Sequence, residues 1–314
     1  MRGEVLRGGP AVVISLFVAA FVASSACQVV AGYQTFKGHP CDVLPASKVD
    51  EDGLDTLVLS KQPDGSCYWV DKTEVTVQRY TQFLAGHATP IGWDHDRCES
   101  WKTAPSDPAD ETDDPCTLAA SAESDPFRLT KPIRCVDWCD ARAFCQWAGK
   151  DLCGGITNTP GVTEPSDAPN PWASACSPEG LSLPYGNGST FVSGVCNVGL
   201  SVDAGQCRAL DHEEYCAPTD VDSFPGCTGP SGMVDMIGNV SEWVFQCGYN
   251  SDGGIDGPDP LCQHQGGSFD NSLEDVTATC WGMAAIDKRA ARDRRIGLRC
   301  CASLTEAEHN LTMQ

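Results

Sequence analysis

The eight residues from Asp235 to Glu242 (DMIGNVSE) concentrate oxygen donors in one short loop. Asp235, the Gly238 carbonyl, the Val240 carbonyl and Glu242 offer nothing but oxygen. Calcium takes several hard oxygen ligands, from carboxylates and backbone alike, so this spacing points to calcium coordination. The alternative is that Asn239 and Glu242 only hydrogen-bond a turn while Trp243 packs in the core. The Asp/Gly-rich stretch from Asp252 to Asp259 lacks the closing Glu of an EF-hand loop and reads as a surface turn. Histidines stand at 39, 87, 95, 212, 264 and 309, with no spacing for a metal triad or a catalytic dyad. Each reads as a surface residue. The basic run Lys288, Arg289, Arg292, Arg294 and Arg295 reads as local charge compensation rather than a groove for an acidic ligand.

Nineteen cysteines run from Cys27 to Cys301 with no CxxC pair and no Cys/His grouping. That dispersion is the pattern of structural crosslinks in an oxidising compartment, not of clustered metal sites. The neighbours Cys300 and Cys301 are expected to bond to two separate partners, since a bond between adjacent residues strains the geometry. At the start of the chain, Arg2 and Arg7 precede an apolar run from Ala11 to Ala23 broken only by Ser15, and Ser24, Ser25 and Ala26 follow. This order describes a secretory signal over residues 1–26, too short for a spanning helix. Cleavage there leaves Cys27 first, which permits a lipid anchor. The expected location is periplasmic, cell-surface or extracellular.

The net charge is −22, which repels nucleic-acid phosphates and anionic membrane surfaces. Hydrophobic residues make up 41% of the chain against 20% charged, enough apolar material for a packed fold. The partner expected on this basis is a protein or a cell-surface ligand, with no nucleic acid and with membrane contact only through lipid on Cys27.

The elements that must position these residues are short. Tyr68-Trp69-Val70 reads as a strand. Thr76 caps a helix with Val77, Tyr80, Phe83 and Leu84 on one face. A second helix carries Trp138, Ala141, Phe144, Cys145 and Ala148 on one face and stops at Gly149. Between them, Asp94 to Pro126 reads as a solvated insertion that Cys98 and Cys116 tie down. No fixed-period repeat and no linker divides the chain, so a single irregular α+β domain is expected.

Six segments in order carry a resemblance. They are YWVDKTEVT (68–76), PIRCVDWCDARAFCQWAGKDL (132–152), PYGN (184–187), GMVDMIGNVSEW (232–243), GGSF (266–269) and RIGLRC (295–300). Together they resemble the formylglycine-generating enzyme, or sulfatase-modifying-factor, family. The resemblance implies an irregular variant of the C-type lectin fold, here disulfide-rich, over residues 66–302. A 27–65 N-terminal extension precedes it and a 303–314 tail follows. It implies calcium on Asp235, Gly238, Val240 and Glu242, and a second calcium on Asn197, the Val198 carbonyl, Asp211 and the Glu213 carbonyl.

Catalysis in this family rests on two cysteines spaced Cys-x4-Cys, whose thiolates hold copper(I) for oxygen activation and oxidise a client sulfatase Cys to formylglycine. In the matching interval, Phe269 to Arg299, Cys280 is the one cysteine, and the two family positions fall on Val276 and Trp281. The family's Pro-Thr-Glu-Ala-Glu-Trp segment is replaced by Cys153-Gly154-Gly155-Ile156-Thr157. Fold membership does not secure the activity. Two readings follow: a calcium-binding module with a binding or structural role, or an oxidase that uses Cys280 with a distant cysteine and copper.

Overall fold

The computed structural model describes residues 38–86, 98, 104–105, 116, 129–154, 171–177, 183–192, 194–198, 207–210, 213–249, 261–271, 279–280 and 285–313. In chain order these form a 3₁₀ turn at Pro40–Val43, β1 (Ser47–Val49), β2 (Thr56–Lys61), β3 (Cys67–Asp71), α1 (Val77–Gly86), α2 (Trp138–Trp147), β4 (Asp151–Leu152) and α3 (Pro171–Cys176). There follow β5 (Cys207–Leu210), β6 (Glu213–Cys216), β7 (Ser241–Tyr249), β8 (Leu261–Gln265), β9 (Ala285–Lys288), β10 (Ile296–Leu298), β11 (Cys300–Ser303) and α4 (Glu306–Thr312). Residues 41–314 make one compact unit.

Helix α1 starts where a hydroxyl can satisfy a free amide: Arg79 N donates to Thr76 Oγ1 at 3.3 Å. Asp137 and Asp140 form a reciprocal capping box at the start of α2. At its far end Gly149 takes a φ of 70°, the left-handed conformation that closes a helix. The apolar faces expected from the 3.6-residue period meet each other. Tyr80 and Phe83 of α1 lie 5.9 and 5.6 Å, ring to ring, from Phe144 of α2. Trp138, Trp243 and Leu298 extend this core, each fully buried. A second cluster gathers Val70, Trp172, Met233, Met236, Ile237 and Val244. Burial of each large side chain stabilises the fold by about 1.5–3 kcal/mol relative to exposure.

Strands run in the order β1-β2-β3-β11-β4 in one sheet and β10-β7-β8-β9 in another, with β5-β6 a separate hairpin. The segment before residue 66 supplies β1 and β2, and Leu59 of β2 sits opposite Trp69 of β3. Strand β10 runs parallel to β7, with Gly297 opposite Glu242. That register carries Arg299, just past β10, towards the Glu242 side chain.

Eight disulfides join described residues, so the chain is disulfide-rich as expected and belongs to an oxidising environment. Cys300 and Cys301 do bond to separate partners, Cys145 on α2 and Cys153 after β4. Cys98 bonds to Cys139 and Cys116 to Cys135, the anchorage expected for the acidic insertion. Most of that insertion, the signal segment, Cys27 and the Asp252–Asp259 stretch lie outside the described residues. Among the described residues no helix is long and apolar enough to cross a membrane.

Candidate functional site

The Asp235–Glu242 loop is built from backbone shapes that few residues adopt. Asp235, Gly238 and Asn239 have φ of 55°, 80° and 57°. A side chain at Gly238 would collide with the Asn197 carbonyl as well as strain the backbone, so only glycine fits. Gly238 N donates to Gly266 O at 2.9 Å and Asn239 N to Asn197 O at 2.7 Å. The Asn239 side-chain oxygen accepts from Thr219 N at 2.9 Å and from Asn197 Nδ2 at 3.0 Å. Asp235 Oδ2 accepts from Asp222 N at 2.8 Å. No donor among the described residues reaches the Gly238 or Val240 carbonyl, which leaves both oxygens open.

Glu242 is held tightly at the other end of the loop. Its Oε1 accepts from Arg299 Nε and Nη2 at 3.0 and 2.8 Å. Its Oε2 accepts from Arg299 Nε at 3.0 Å and from Trp172 Nε1 at 2.6 Å. Arg299 also donates from Nη1 to Asp71 O at 2.8 Å and from Nη2 to Val234 O at 2.9 Å. A single guanidinium thus ties β3, the 234 turn and β7 together. The rigid fork of donors makes arginine, not lysine, suited to this place.

Beside this pair lies Glu74, 1% exposed, whose two carboxylate oxygens accept no hydrogen bond of good geometry although the Asn239 amide is nearby. Burial first, and then the charge of Asp235, push its pKa well above the usual carboxylate value. Asp235 is itself raised to about 6 by burial, against the opposing bond from Asp222 N and the charge of Arg299. The described site therefore holds buried Glu74, Asp235 and Glu242 around Arg299. The three carboxylates outnumber the one guanidinium, and the Gly238 and Val240 carbonyls add hard oxygen donors of the kind that calcium takes.

Of the second expected calcium set, Asn197 is buried and packs on the first loop, and its amide also donates to Ala217 O at 3.2 Å. Val198 N donates to Cys196 O at 2.9 Å, within the turn that the Cys196–Cys227 disulfide closes. Glu213 opens β6, paired with Leu210 of β5, and Asp211 lies outside the described residues.

Cys280 is disulfide-bonded to Cys176, the last residue of α3 and 104 positions upstream. Both are buried, and Cys280 N donates to Pro184 O at 2.6 Å. Val276 and Trp281 lie outside the described residues. A disulfide presents no thiolate, so this donor set does not fit copper(I).

Sequence reasoning missed several residues here. Trp172 belongs to no motif singled out in the sequence, yet it lies on α3 and bonds Glu242. Glu74 and Arg299 were visible only as letters within motifs. An ion network was missed too. Lys150 reaches Asp71, Asp55 and Asp50 at 2.6, 3.1 and 3.3 Å, and Arg79 pairs with Asp52 and Asp55 at 2.8 and 3.0 Å. Burial opposes the Lys150 charge, but Asp71 and Asp55 more than offset it and hold the ammonium protonated. His264 corrects the surface reading. It stands edge-on to Trp243 with ring centroids 5.4 Å apart, and its Nδ1 lies 2.6 Å from Ser241 Oγ. The basic run behaves as expected where its partners are described: Arg294 pairs with Asp270 at 2.6 Å and Arg295 with Asp293 at 2.7 Å.

Solved structures of similar architecture include PvdO from Pseudomonas aeruginosa, at 16% identity and a TM-score of 0.49, covering 82% of this chain and 98% of that one. Treponema denticola variable protein 1 matches at 14% identity and 0.48, over 83% and 100%. CarF matches at 17% and 0.45, over 76% and 87%. No curated protein matches the chain. The pattern of the "Sulfatase-modifying factor enzyme 1-like domain" family matches residues 59–304, most of the chain. With its glycine-shaped loop, its buried Arg299 anchor and this match, the chain belongs to the sulfatase-modifying factor enzyme 1-like domain family.

Proposed function

We propose that the protein is an exported, calcium-stabilised binding or structural module rather than a formylglycine-forming oxidase. The observation that carries this reading is the Cys176–Cys280 disulfide, which occupies the one cysteine of the family's catalytic interval. The disulfide density supports export, and the signal-like start with Cys27 after it supports a lipid anchor as the membrane attachment. The partner is a protein or a cell-surface ligand. Calcium, held by the Asp235–Glu242 loop, would supply charge neutralisation and would fix the loop against Asn197. The set Asn197, Val198, Asp211 and Glu213 is the second candidate site.

One observation favours the oxidase as a second reading. The disulfide brings two distant cysteines together, so reduction would create a neighbouring thiol pair. A sulfatase-type peptide containing Cys-x-Pro-x-Arg, incubated with the protein, copper and oxygen, separates the two. Mass spectrometry is expected to find the peptide unchanged, both for the protein as folded and after mild reduction. Conversion of its cysteine to the aldehyde, lost in Cys280→Ser, would overturn the module reading.

A further inference from the structure

The Glu242 carboxylate is already occupied. Its two oxygens receive two guanidinium nitrogens and the Trp172 indole, at 2.6 to 3.0 Å, in a site with no solvent access. A cation seated on it would have to displace these donors and lie against Arg299. Glu74 is in the opposite condition: 1% exposed, with neither oxygen in a hydrogen bond of good geometry and the Asn239 amide beside it. An anion so placed is costly unless a cation or a proton accompanies it. Backbone pairing brings its segment to the loop, since Val234 N donates to Lys72 O at 3.0 Å and Val75 N to Leu298 O at 3.0 Å. Among the charges that act on Glu74, that of Asp235 is the strongest, ahead of Arg299 and Glu242. In the same loop as Asp235, the Gly238 and Val240 carbonyls accept no hydrogen bond from the described residues. Formal charges agree as well: Glu74, Asp235 and Glu242 against Arg299 leave an excess that one divalent cation neutralises.

We propose that Glu74 is the second carboxylate ligand of the calcium site, joining Asp235 and the open carbonyls, while Glu242 serves as the anchor of Arg299. This rests on the calcium reading of the loop and changes its ligand set. Calcium then bridges the turn between β3 and α1 to the loop before β7, two parts of the chain far apart in sequence.

Calcium binding to the full chain, followed by titration calorimetry and by the calcium-dependent rise in melting temperature, tests the assignment. Wild type is expected to bind calcium, and Asp235→Asn and Glu74→Gln each to weaken binding by about ten-fold or more. Glu74→Gln removes a buried charge and keeps the shape, so its calcium-free melting temperature is expected to equal or exceed that of wild type. Glu74→Asp, which keeps the charge on a shorter stem, serves as a second variant and should fall between the two. Glu242→Gln is expected to lower stability in the calcium-free protein while leaving a calcium-dependent rise. Glu74→Gln and Glu74→Asp with wild-type affinity, beside a defective Asp235→Asn, would overturn the Glu74 assignment and leave the calcium reading standing. A wild type that binds no calcium would overturn both. A site that Glu242→Gln abolishes and the Glu74 variants spare would return Glu242 to the ligand set.

Discussion

Arg299 and Glu242 face each other across the interior in a two-pronged ion pair, 2.8 Å at its shortest, with neither side chain reaching solvent. The pair has company on every edge: Trp172 on the carboxylate, and the Asp71 and Val234 carbonyls on the guanidinium. Removal of the arginine therefore strands a buried anion and two carbonyls at once. Arg299→Met is expected to destabilise the protein by about 3–5 kcal/mol. Arg299→Lys should recover only part of this, because an ammonium cannot reproduce the fork. Denaturant unfolding under oxidising conditions measures both, and a loss below about 1 kcal/mol for Arg299→Met would contradict the pairing.

The ion network around Lys150 allows an internal comparison. Lys150 is buried among Asp71, Asp55 and Asp50, whereas Lys61 pairs with Asp42 at the surface. Lys150→Met leaves buried carboxylates uncompensated and should cost about 3 kcal/mol. Lys61→Met should change stability by less than about 1 kcal/mol, since exposed pairs contribute little. Equal effects in the same unfolding assay would count against the buried network.

His264 sets a pH response. Ser241 Oγ donates to Gln265 O at 2.9 Å, so the hydroxyl proton is used and His264 Nδ1 carries the hydrogen between them. Burial, opposed by Asp293 and aided by Arg295, lowers the His264 pKa to about 4 from 6.5. A depressed imidazole pKa means that unfolding takes up a proton between those two values. Stability from this group is thus complete above pH 6.5 and falls as pH drops towards 4, by up to about 3 kcal/mol. Proton NMR titration of the His264 ring should show it neutral at pH 5.5, and His264→Gln should flatten this part of the stability curve. A ring that titrates near 6.5 would refute it.

Reduction should be as damaging as any substitution. Each native bond lost typically costs about 2–5 kcal/mol, and Cys145–Cys300 and Cys153–Cys301 close loops of 155 and 148 residues. Thiol titration of the unfolded, non-reduced protein should find at most three free groups, because eight disulfides take sixteen of nineteen cysteines. Six or more would sink the scaffold.

The local features that the sequence made readable are those with local causes. Helix α2 announced itself through its apolar period and Gly149, and the separate bonding of Cys300 and Cys301 follows from strain between neighbours. The Asp235–Glu242 loop showed its oxygen donors in a row. What stayed hidden depends on long-range placement. Helix α3 is only six residues long, too short for a period, and its Trp172 matters through a carboxylate 70 positions away. Glu74 became informative only once its oxygens were seen to be buried without a hydrogen bond of good geometry. His264 read as a surface residue because nothing nearby in sequence reveals the Trp243 face it packs on. The pairing of Cys280 with Cys176 was equally out of reach, since connectivity follows from the fold and not from spacing.

The module reading depends most directly on the state of Cys280. Digestion of the native protein without reduction, after blocking of free thiols, followed by mass spectrometry, reports it without any assay of function. The expected result is one peptide pair joined through Cys176 and Cys280 and no blocked Cys280. A Cys280 recovered as the blocked free thiol would contradict the account and reopen the oxidase reading.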